Sequence, residues 1–211
     1  MTPSVHTPAY VQVLQSRPRK PGEASFFFFD QHFRYAAAKV LPGEYYVSDE
    51  DILIMTVLGS CIAACIWDSR LRIGGMNHFM LPEGGADTSG RYGSYAMELL
   101  INELIKRGST RQSMQAKVFG GGAVIAGMTT MNVGERNTQF VLDYLATERI
   151  PVVSKDVLDV YPRKVVFFPV TGKAMVKRLA HAHPDTLEQQ ERLGTPTRLA
   201  QARAGGTVDL F

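Results

Sequence analysis

Cys61 and His78 are the residues of this sequence best suited to nucleophilic chemistry. A thiolate is a strong nucleophile, and a neighbouring imidazole both favours the thiolate and returns a proton to the leaving group. Such a pair could attack a carboxamide, release ammonia and leave a thioester for water to hydrolyse. Gly59 and Ser60 precede the cysteine and leave the backbone open. We therefore expect backbone N–H groups from Gly59 to Ile62 to bind the oxyanion.

The spacing of the two residues predicts that they meet in a β-hairpin. Residues 61–67 and 73–80 are apolar strand candidates separated by a polar turn. A turn centred just after Ser69 would place Cys61 directly opposite His78, with their Cβ atoms roughly 5 Å apart. That distance would allow a thiol and an imidazole to share a proton.

The same residues also allow plainer interpretations. Free cysteine is among the most buried residue types, so Cys61 could be a packed thiol, and we expect Cys65 to be one. A zinc site built from Cys61, Cys65 and His78 would need a fourth ligand and a different backbone. Three histidines have no obvious partner and are expected at the surface: His32, His181 and His183.

Apolar patterns predict the elements that hold these residues. Helical spacing is found over residues 95–106, where Gly108 is placed to end the helix, and again over residues 137–148. Short apolar runs predict strands at residues 52–58, 61–67, 73–81, 117–119, 150–153, 165–168 and 174–178. Because helices and strands do not alternate regularly, the pattern favours an α+β fold, a layered sandwich of mixed or antiparallel sheets with two main helices.

The ends of the chain differ in composition from its middle. Residues 1–25 contain four prolines and a short basic cluster and are expected to be a flexible leader. Residues 183–211 are polar and are expected to be a tail. Residues 26–182 then form the single folded domain, which a chain of 211 residues with 45% hydrophobic content can support.

Charge and cysteine content favour a cytoplasmic protein without nucleic-acid binding. The formal charge is only +3, and the basic residues form no long block. No secretory signal is visible, and the run Phe26–Phe29 is far shorter than the roughly 20 residues that span a bilayer. On one strand the two cysteines would be too far apart for a disulfide, which suits a reducing compartment.

The run Gly120–Gly122 lacks the lysine and hydroxyl residue that end a phosphate-binding loop, and its glycine order is not a dinucleotide fingerprint. We therefore predict that these glycines allow close backbone packing beside the strands of the site, and we expect no cofactor.

Several ordered motifs make the chain resemble the CheD family of chemoreceptor glutamine deamidases. The resemblance covers roughly residues 34–178 and is carried by segments 41–47, 56–61, 74–82, 119–122 and 133–137. It implies a fold like that of bacterial toxins that deamidate glutamine, with a cysteine and histidine site. It also implies the substrate, glutamines on the cytoplasmic helices of methyl-accepting chemoreceptors, which deamidation converts to glutamates. Some members also bind a CheC-type phosphatase.

Two departures from the family pattern concern the site and a nearby loop. Some members carry a catalytic threonine six positions before the cysteine, where this chain has Met55, while Thr56 is five positions before it. On a regular strand a shift of one residue reverses the face, so Thr56 could join the site only if a bulge or the Gly59 turn corrects the phase; otherwise it is only a β-branched strand residue. Related sequences also often carry a glycine pair within the segment that is Asp156–Lys164 here.

Two further classes of function remain open at this level. One is a non-catalytic chemotaxis adaptor that binds receptors or a CheC-type phosphatase. The other is a different thiol hydrolase, such as a peptidase or a transglutaminase. Asn77 is left out of the predicted site because, as the strand neighbour of His78, it should point to the opposite face.

Overall fold

A computed structural model describes residues 3–82, 91–123, 133–179 and 208–211 of the chain. These residues form two β-sheets and three helices, which confirms the predicted layered α+β class. The helices are α1 (Ala9–Ser16), α2 (Gly93–Lys106) and α3 (Val133–Thr147). The strands are β1 (Phe26–Asp30), β2 (Tyr35–Lys39), β3 (Tyr45–Ser48), β4 (Leu53–Leu58), β5 (Ile62–Asp68), β6 (Ile73–Asn77), β7 (Met114–Gly120), β8 (Val152–Val157), β9 (Arg163–Phe167), β10 (Ala174–Arg178) and β11 (Val208–Leu210).

The two sheets are mixed and lie face to face. One has six strands in the order β1-β2-β4-β9-β10-β11, and the other has five in the order β3-β6-β5-β7-β8. The pairs β2–β4 and β7–β8 are parallel, and the other neighbours are antiparallel. One buried cluster contains residues of both sheets, such as Ile54 and Leu58 from one and Cys65 and Met76 from the other. Helices α2 and α3 pack on the five-stranded sheet, so the layers run helix, sheet, sheet.

Alternation along neighbouring strands explains this packing. In β5, Ala63 and Cys65 belong to the cluster between the sheets, while Ile62, Ala64 and Ile66 belong to the cluster under the helices. All of β5 is buried because both of its faces are covered. The strand therefore separates an inner face, which carries the candidate chemistry, from a helix face, which anchors it.

The first two strands were not predicted from the sequence. Strand β1 carries the Phe26–Phe29 run, and it pairs antiparallel with β2. Strand β2 contains Ala36, Ala37 and Ala38, all fully buried, and alanine has weak strand propensity on its own. Burial between neighbouring strands, not local preference, therefore places this segment in the sheet.

Parts of both end segments belong to the folded unit, which differs from the expected flexible leader. Helix α1 lies within residues 1–25 and buries Tyr10 and Leu14 in the cluster that also holds Cys61. These two residues are four positions apart and so share one helix face. At the other end, β11 pairs with β10. Residues 183–207 of the predicted tail lie outside the described residues.

A buried ion pair also joins the two sheets. Arg163 of β9 is fully buried and donates through Nη2 to Asp156 of β8 at 2.9 Å. Among the described residues, no helix is long and apolar enough to cross a bilayer.

Candidate active site

Cys61 lies where the chain passes from one sheet to the other. Strand β4 ends at Leu58 in the six-stranded sheet, and β5 begins at Ile62 in the five-stranded sheet. The Cys61 side chain is 2% exposed and packs in the cluster between the sheets. Both cysteines of the chain are buried thiols that form no disulfide.

The glycine-rich segment after β7 holds the backbone of this crossing. Gly121 donates its N–H to the Cys61 carbonyl at 2.8 Å, and Gly122 donates to the Gly59 carbonyl at 2.9 Å. A Cβ atom at Gly120, whose φ is 111°, would lie 2.1 Å from the Cys61 carbonyl oxygen. Only glycine allows this approach, which confirms the predicted close backbone packing.

His78 follows β6 and is buried with its main chain fixed. Its N–H donates to the Glu44 carbonyl at 3.0 Å, and its carbonyl accepts from the Gly43 N–H at 2.7 Å. The side chain is 2% exposed. The pKa of the imidazole is lowered to about 4, chiefly by burial; a bond to the Val40 carbonyl acts in the opposite sense, and the nearby Lys39 ammonium adds to the lowering. The ring is therefore neutral at pH 7, the state a general base requires.

A hydrogen-bond chain determines which ring nitrogen of His78 carries the proton. The Thr56 hydroxyl donates to the Val40 carbonyl at 2.8 Å and lies 2.9 Å from Nδ1 of His78. A hydroxyl has one proton, so Nδ1 must be the donor in the second bond. Nε2 then carries the lone pair, and it is buried with no hydrogen-bond partner among the described residues. The network leaves the basic nitrogen available.

The predicted direct pairing of Cys61 with His78 is wrong. In the observed hairpin Cys65 pairs with Met76 and Ile62 with Phe79, so the turn is centred one residue later than expected. This register places Cys61 opposite Met80, diagonally from His78. Because the shift moves pairs by an even number of residues, both side chains stay on the inner face. Diagonal neighbours lie roughly 7–8 Å apart at Cα, still within reach of long side chains.

Thr56 reaches His78 by a route that the sequence did not reveal. The expectation treated Thr56 and Cys61 as residues of one strand, which would have needed a bulge. The structure has Thr56 in the opposite sheet, where it faces inward with Ile54 and Leu58 and approaches His78 across the sandwich. Met55 faces the other way, in a separate cluster on the outer face. The passage from sheet to sheet removes the phase problem.

The main-chain bonds also narrow the predicted oxyanion donors. Ile62 donates its N–H to the Phe79 carbonyl at 3.0 Å, and Phe79 returns the same bond to Ile62 at 3.0 Å. The N–H of Ile62 is therefore committed to the hairpin. Within the predicted stretch, candidate donors are left to the residues before it, Gly59 and Ser60 in particular.

A family model and the sequence relatives agree on one family. A family model described as CheD chemotactic sensory transduction matches residues 80–178. A protein of Albidiferax ferrireducens, named probable chemoreceptor glutamine deamidase CheD 1, is 72% identical over 202 residues, which cover 95% of this chain and 86% of that protein. A protein of Dechloromonas aromatica with the same name is 56% identical over 188 residues, covering 87% of this chain and 93% of that one. The chain belongs to the CheD family.

The family-model match and the relatives cover different parts of the site. The matched residues begin at Met80, just after His78, whereas the first relative is aligned over 95% of the chain. Among solved structures, the hypothetical protein YfiH of Bacillus licheniformis has a TM-score of 0.37 and 11% identity, covering 55% of this chain and 49% of that chain. The likeness to deamidating toxins stays a prediction.

The loop that departs from the CheD pattern has an unusual backbone. Leu158 and Asp159 have φ angles of 65° and 68°, a left-handed conformation that glycine adopts most easily. Leu158 donates its N–H to the Gly120 carbonyl at 2.8 Å, and Asp159 accepts from the Ala123 N–H at 2.7 Å. The loop thus keeps a glycine-like shape without glycine, packed against the segment that holds Cys61.

Asn137, which the sequence analysis did not include in the site, contacts both halves of it. The side chain is fully buried, and Nδ2 donates to the Ser60 carbonyl at 3.1 Å and to the Met80 carbonyl at 2.8 Å. These carbonyls flank Cys61 and His78. The one signal in the sequence was the position of Asn137 at the end of a family motif.

Other candidates lie away from this arrangement. Cys65 is fully buried, and burial raises the pKa of its thiol. The Asn77 side chain accepts from the Ala64 N–H at 3.0 Å and donates to the Ala96 carbonyl at 3.1 Å, which confirms that it faces the helices. His32 is exposed as predicted, while His181 and His183 lie outside the described residues. In the described part of the chain no group of three or more His, Cys, Asp or Glu side chains could hold a metal ion.

Proposed function

We propose that this chain hydrolyses the side-chain amide of specific glutamines on methyl-accepting chemoreceptors, with Cys61 as nucleophile, His78 as base and Thr56 orienting the imidazole. The observation that supports this most is the Thr56–His78 bond. Because the Thr56 hydroxyl donates its hydrogen bond to the Val40 carbonyl, the neutral ring is protonated on Nδ1, and Nε2 can take a proton from a thiol. The names of the relatives supply the substrate class.

The proposed reaction balances with water as the only co-reactant. Nε2 of His78 takes the thiol proton as Sγ of Cys61 bonds to the glutamine carbonyl carbon. The oxyanion collapses, the C–N bond breaks, and Nε2–H protonates the departing amine, which leaves as ammonia. Water then attacks the thioester, with Nε2 again as base, and releases glutamate and the thiol. Each modified glutamine adds one negative charge to a packed receptor helix, which is the change that would tune signalling.

Burial of the dyad suits this chemistry. Cys61 and His78 are each 2% exposed. In a site that excludes water, hydrogen bonds from the Gly59–Ser60 backbone to an oxyanion are stronger than in solvent. Because the proposed substrate is a cytoplasmic receptor helix, we also propose that the protein acts in the cytoplasm.

The deciding experiment uses purified protein and a receptor cytoplasmic fragment. Glutamine-to-glutamate conversion is mapped by mass spectrometry for the wild type, Cys61→Ala and Cys65→Ala. We expect conversion by the wild type and by Cys65→Ala, since Cys65 packs in the core, and none by Cys61→Ala. Unchanged glutamines with the wild type, or full conversion by Cys61→Ala, would falsify the proposal. Cleaved or cross-linked fragments would point instead to a peptidase or a transglutaminase.

Thiol reactivity separates an enzyme from a chemotaxis adaptor. Because Cys61 is 2% exposed, its alkylation rate at neutral pH is compared with that in His78→Gln; equal rates would support a non-catalytic role in binding receptors. We further propose a CheC-type phosphatase as a partner, on the family resemblance. Added phosphatase should then slow receptor deamidation in proportion to the complex formed, and an unchanged rate at saturating phosphatase would exclude that competition.

A further inference from the structure

Asn137 makes the one described side-chain contact that spans the Cys61 and His78 segments from helix α3. Its Nδ2 atom donates to the carbonyls of Ser60 and Met80, at 3.1 Å and 2.8 Å. Ser60 immediately precedes the nucleophile, and Met80 lies two residues after the base. A change in either bond therefore alters the separation of the two reacting side chains.

The geometry requires an amide at this position. Both partners are carbonyl oxygens, so the atom facing them must be the NH₂ group, which has two protons to donate. A serine or threonine hydroxyl could satisfy only one carbonyl. A lysine or arginine would bring an unpaired charge into a site where Asn137 is fully buried. Asparagine supplies two donors without a charge.

The other end of the amide has no partner in the part of the chain that the structure describes. Oδ1 of Asn137 is buried and has no hydrogen-bond partner among the described residues. A buried acceptor without a partner is unfavourable, so stability alone does not favour an amide whose oxygen is unused. The two bonds to the Ser60 and Met80 carbonyls therefore account for an asparagine at this position.

The hairpin needs such a link at this end. The regular ladder of β5 and β6 extends from Asp68 to Cys65 on one side and from Ile73 to Met76 on the other. Beyond it the strands are joined by the isolated bridge between Ile62 and Phe79 and by the Asn77 side chain, which accepts from the Ala64 N–H. The two catalytic candidates lie past the regular ladder, where the described main-chain bonds of Cys61 and His78 run to other segments, to Gly121 and to Glu44 and Gly43.

We propose that Asn137 is a positioning residue that clamps the Cys61 and His78 segments together from helix α3. It touches neither reacting atom. Its effect on catalysis rests on the proposed function, whereas its effect on the hairpin does not. A misplacement of about 1 Å between reacting groups can lower a rate by about a hundredfold, so the clamp acts on kcat more than on KM.

The test compares Asn137→Ala and Asn137→Asp with the matched control Asn77→Ala. Asn77 is also a fully buried asparagine that joins the same two strands, through the Ala64 N–H, but its side chain lies on the helix face and bonds to Ala96 and Met97 instead of the Cys61 and His78 segments. Asn137→Asp keeps the side-chain volume, yet its carboxylate cannot donate to a carbonyl. Amide hydrogen exchange at Ile62 and Phe79 reports the hairpin end, and steady-state kinetics on a receptor fragment report catalysis.

We expect both Asn137 variants to speed amide hydrogen exchange at Ile62 and Phe79 by about tenfold or more, while the exchange rate of the Cys65 amide stays unchanged. We also expect kcat to fall by about 10- to 100-fold with KM within about threefold. Asn77→Ala should lower the melting temperature while keeping kcat per folded molecule within about threefold. Unaltered exchange at Ile62 and Phe79 in Asn137→Asp, or an equal loss of kcat in Asn77→Ala, would overturn the clamp. If the wild type converts no glutamine, the proposed function fails, and the exchange result alone still decides for or against the clamp.

Discussion

The Thr56 hydroxyl has one proton, and it donates that proton's hydrogen bond to the Val40 carbonyl. The Thr56 oxygen is then left to accept from Nδ1 of His78, which orients the imidazole and keeps its proton on Nδ1. The Val40 carbonyl thus determines the tautomer of His78 through Thr56. Burial keeps the ring neutral at the same time. Two independent effects therefore leave Nε2 as a base, one acting on the tautomer and one on the charge.

Removing the Thr56 hydroxyl should release the tautomer of His78 while burial still keeps the ring neutral. Thr56→Val keeps the shape but removes the hydroxyl between the Val40 carbonyl and Nδ1 of His78, which leaves only the direct bond between those two groups. We expect stability to fall by about 1 kcal/mol, the usual net contribution of a buried hydrogen bond, and kcat by about tenfold or more. Thr56→Ser keeps the hydroxyl and should keep most of the activity. Urea unfolding and deamidation kinetics measure the two effects, and equal activity in Val and Ser variants would refute the orienting role.

The pKa of His78 also predicts how stability depends on pH. The value is about 4 in the folded protein against about 6.5 unfolded, so the folded state binds fewer protons between them. The neutral His78 therefore makes its full contribution to the free energy of unfolding above pH 6.5, and this contribution is lost as the pH falls toward 4. We expect the wild type to lose on the order of 3 kcal/mol more than His78→Gln between pH 7 and pH 4. Urea titrations of both proteins at several pH values measure this, and parallel curves would contradict it.

The sequence predicts the residue types of the candidate site but not their placement. Cys61 and His78 are predicted by type, motif and spacing, and their catalytic roles stay predictions. Their register depends on where the turn is centred, which side-chain pattern alone leaves open by an even number of residues. Asn137 was missed because its partners are main-chain carbonyls of residues far away in sequence, and such contacts leave no local pattern.

At the scale of elements, the crossing from β4 to β5 determines the site. Thr56 and Cys61 are close in sequence but lie in different sheets, so no strand periodicity relates their side chains. Strands and helices with clear apolar spacing, such as α2 and β10, were predicted near their observed bounds. Strand β2 was missed because its alanines carry little local preference. The sheet in which a strand lies is a tertiary property.

The glycine-rich segment gives this crossing its support, and a methyl group should break it. Gly120→Ala adds a Cβ atom 2.1 Å from the Cys61 carbonyl oxygen, at a φ of 111°. We expect a loss of about 3 kcal/mol or more and reduced Cys61 alkylation. Gly108→Ala is the matched control, since its φ is 99° but its Cβ would meet only Leu71 at 3.6 Å. That variant should lose about 1 kcal/mol. Equal losses in the two melting curves would show that crowding at Cys61 is unimportant.

In the loop after β8, a substitution should raise the stability of the protein instead of lowering it. Leu158 has a φ of 65° and is 38% exposed, so its left-handed backbone is strained while its side chain packs little. Leu158→Gly should raise stability by about 1 kcal/mol by relieving that strain. Leu158→Ala keeps a Cβ atom and should give no gain. Urea unfolding of the three proteins checks this, and a gain in the alanine variant would mean that the side chain, not the backbone, is unfavourable.

At the scale of the whole molecule, the cluster between the sheets joins the candidate site to the N-terminal helix. Tyr10 and Leu14 of α1 pack in the same buried cluster as Cys61 and Cys65. The Arg17 guanidinium donates two hydrogen bonds to Glu50, at 2.6 Å and 2.8 Å, and Tyr10 also donates to that carboxylate. An end segment of low local signal is thus part of one core, which the proline content of residues 1–25 concealed.

This packing makes α1 a determinant of global stability, and Leu14 is the residue to test. Leu14 is 1% exposed, and truncation to alanine should lower the free energy of unfolding by about 2–4 kcal/mol. Gln12 lies on the exposed side of the same helix, so Gln12→Ala should change it by less than about 0.5 kcal/mol. Because the cluster is shared, unfolding of Leu14→Ala should remain one transition, seen alike by circular dichroism and by Trp67 fluorescence. If α1 were a separate leader, Leu14→Ala would leave the Trp67 transition where it is in the wild type, and only the helical signal would shift.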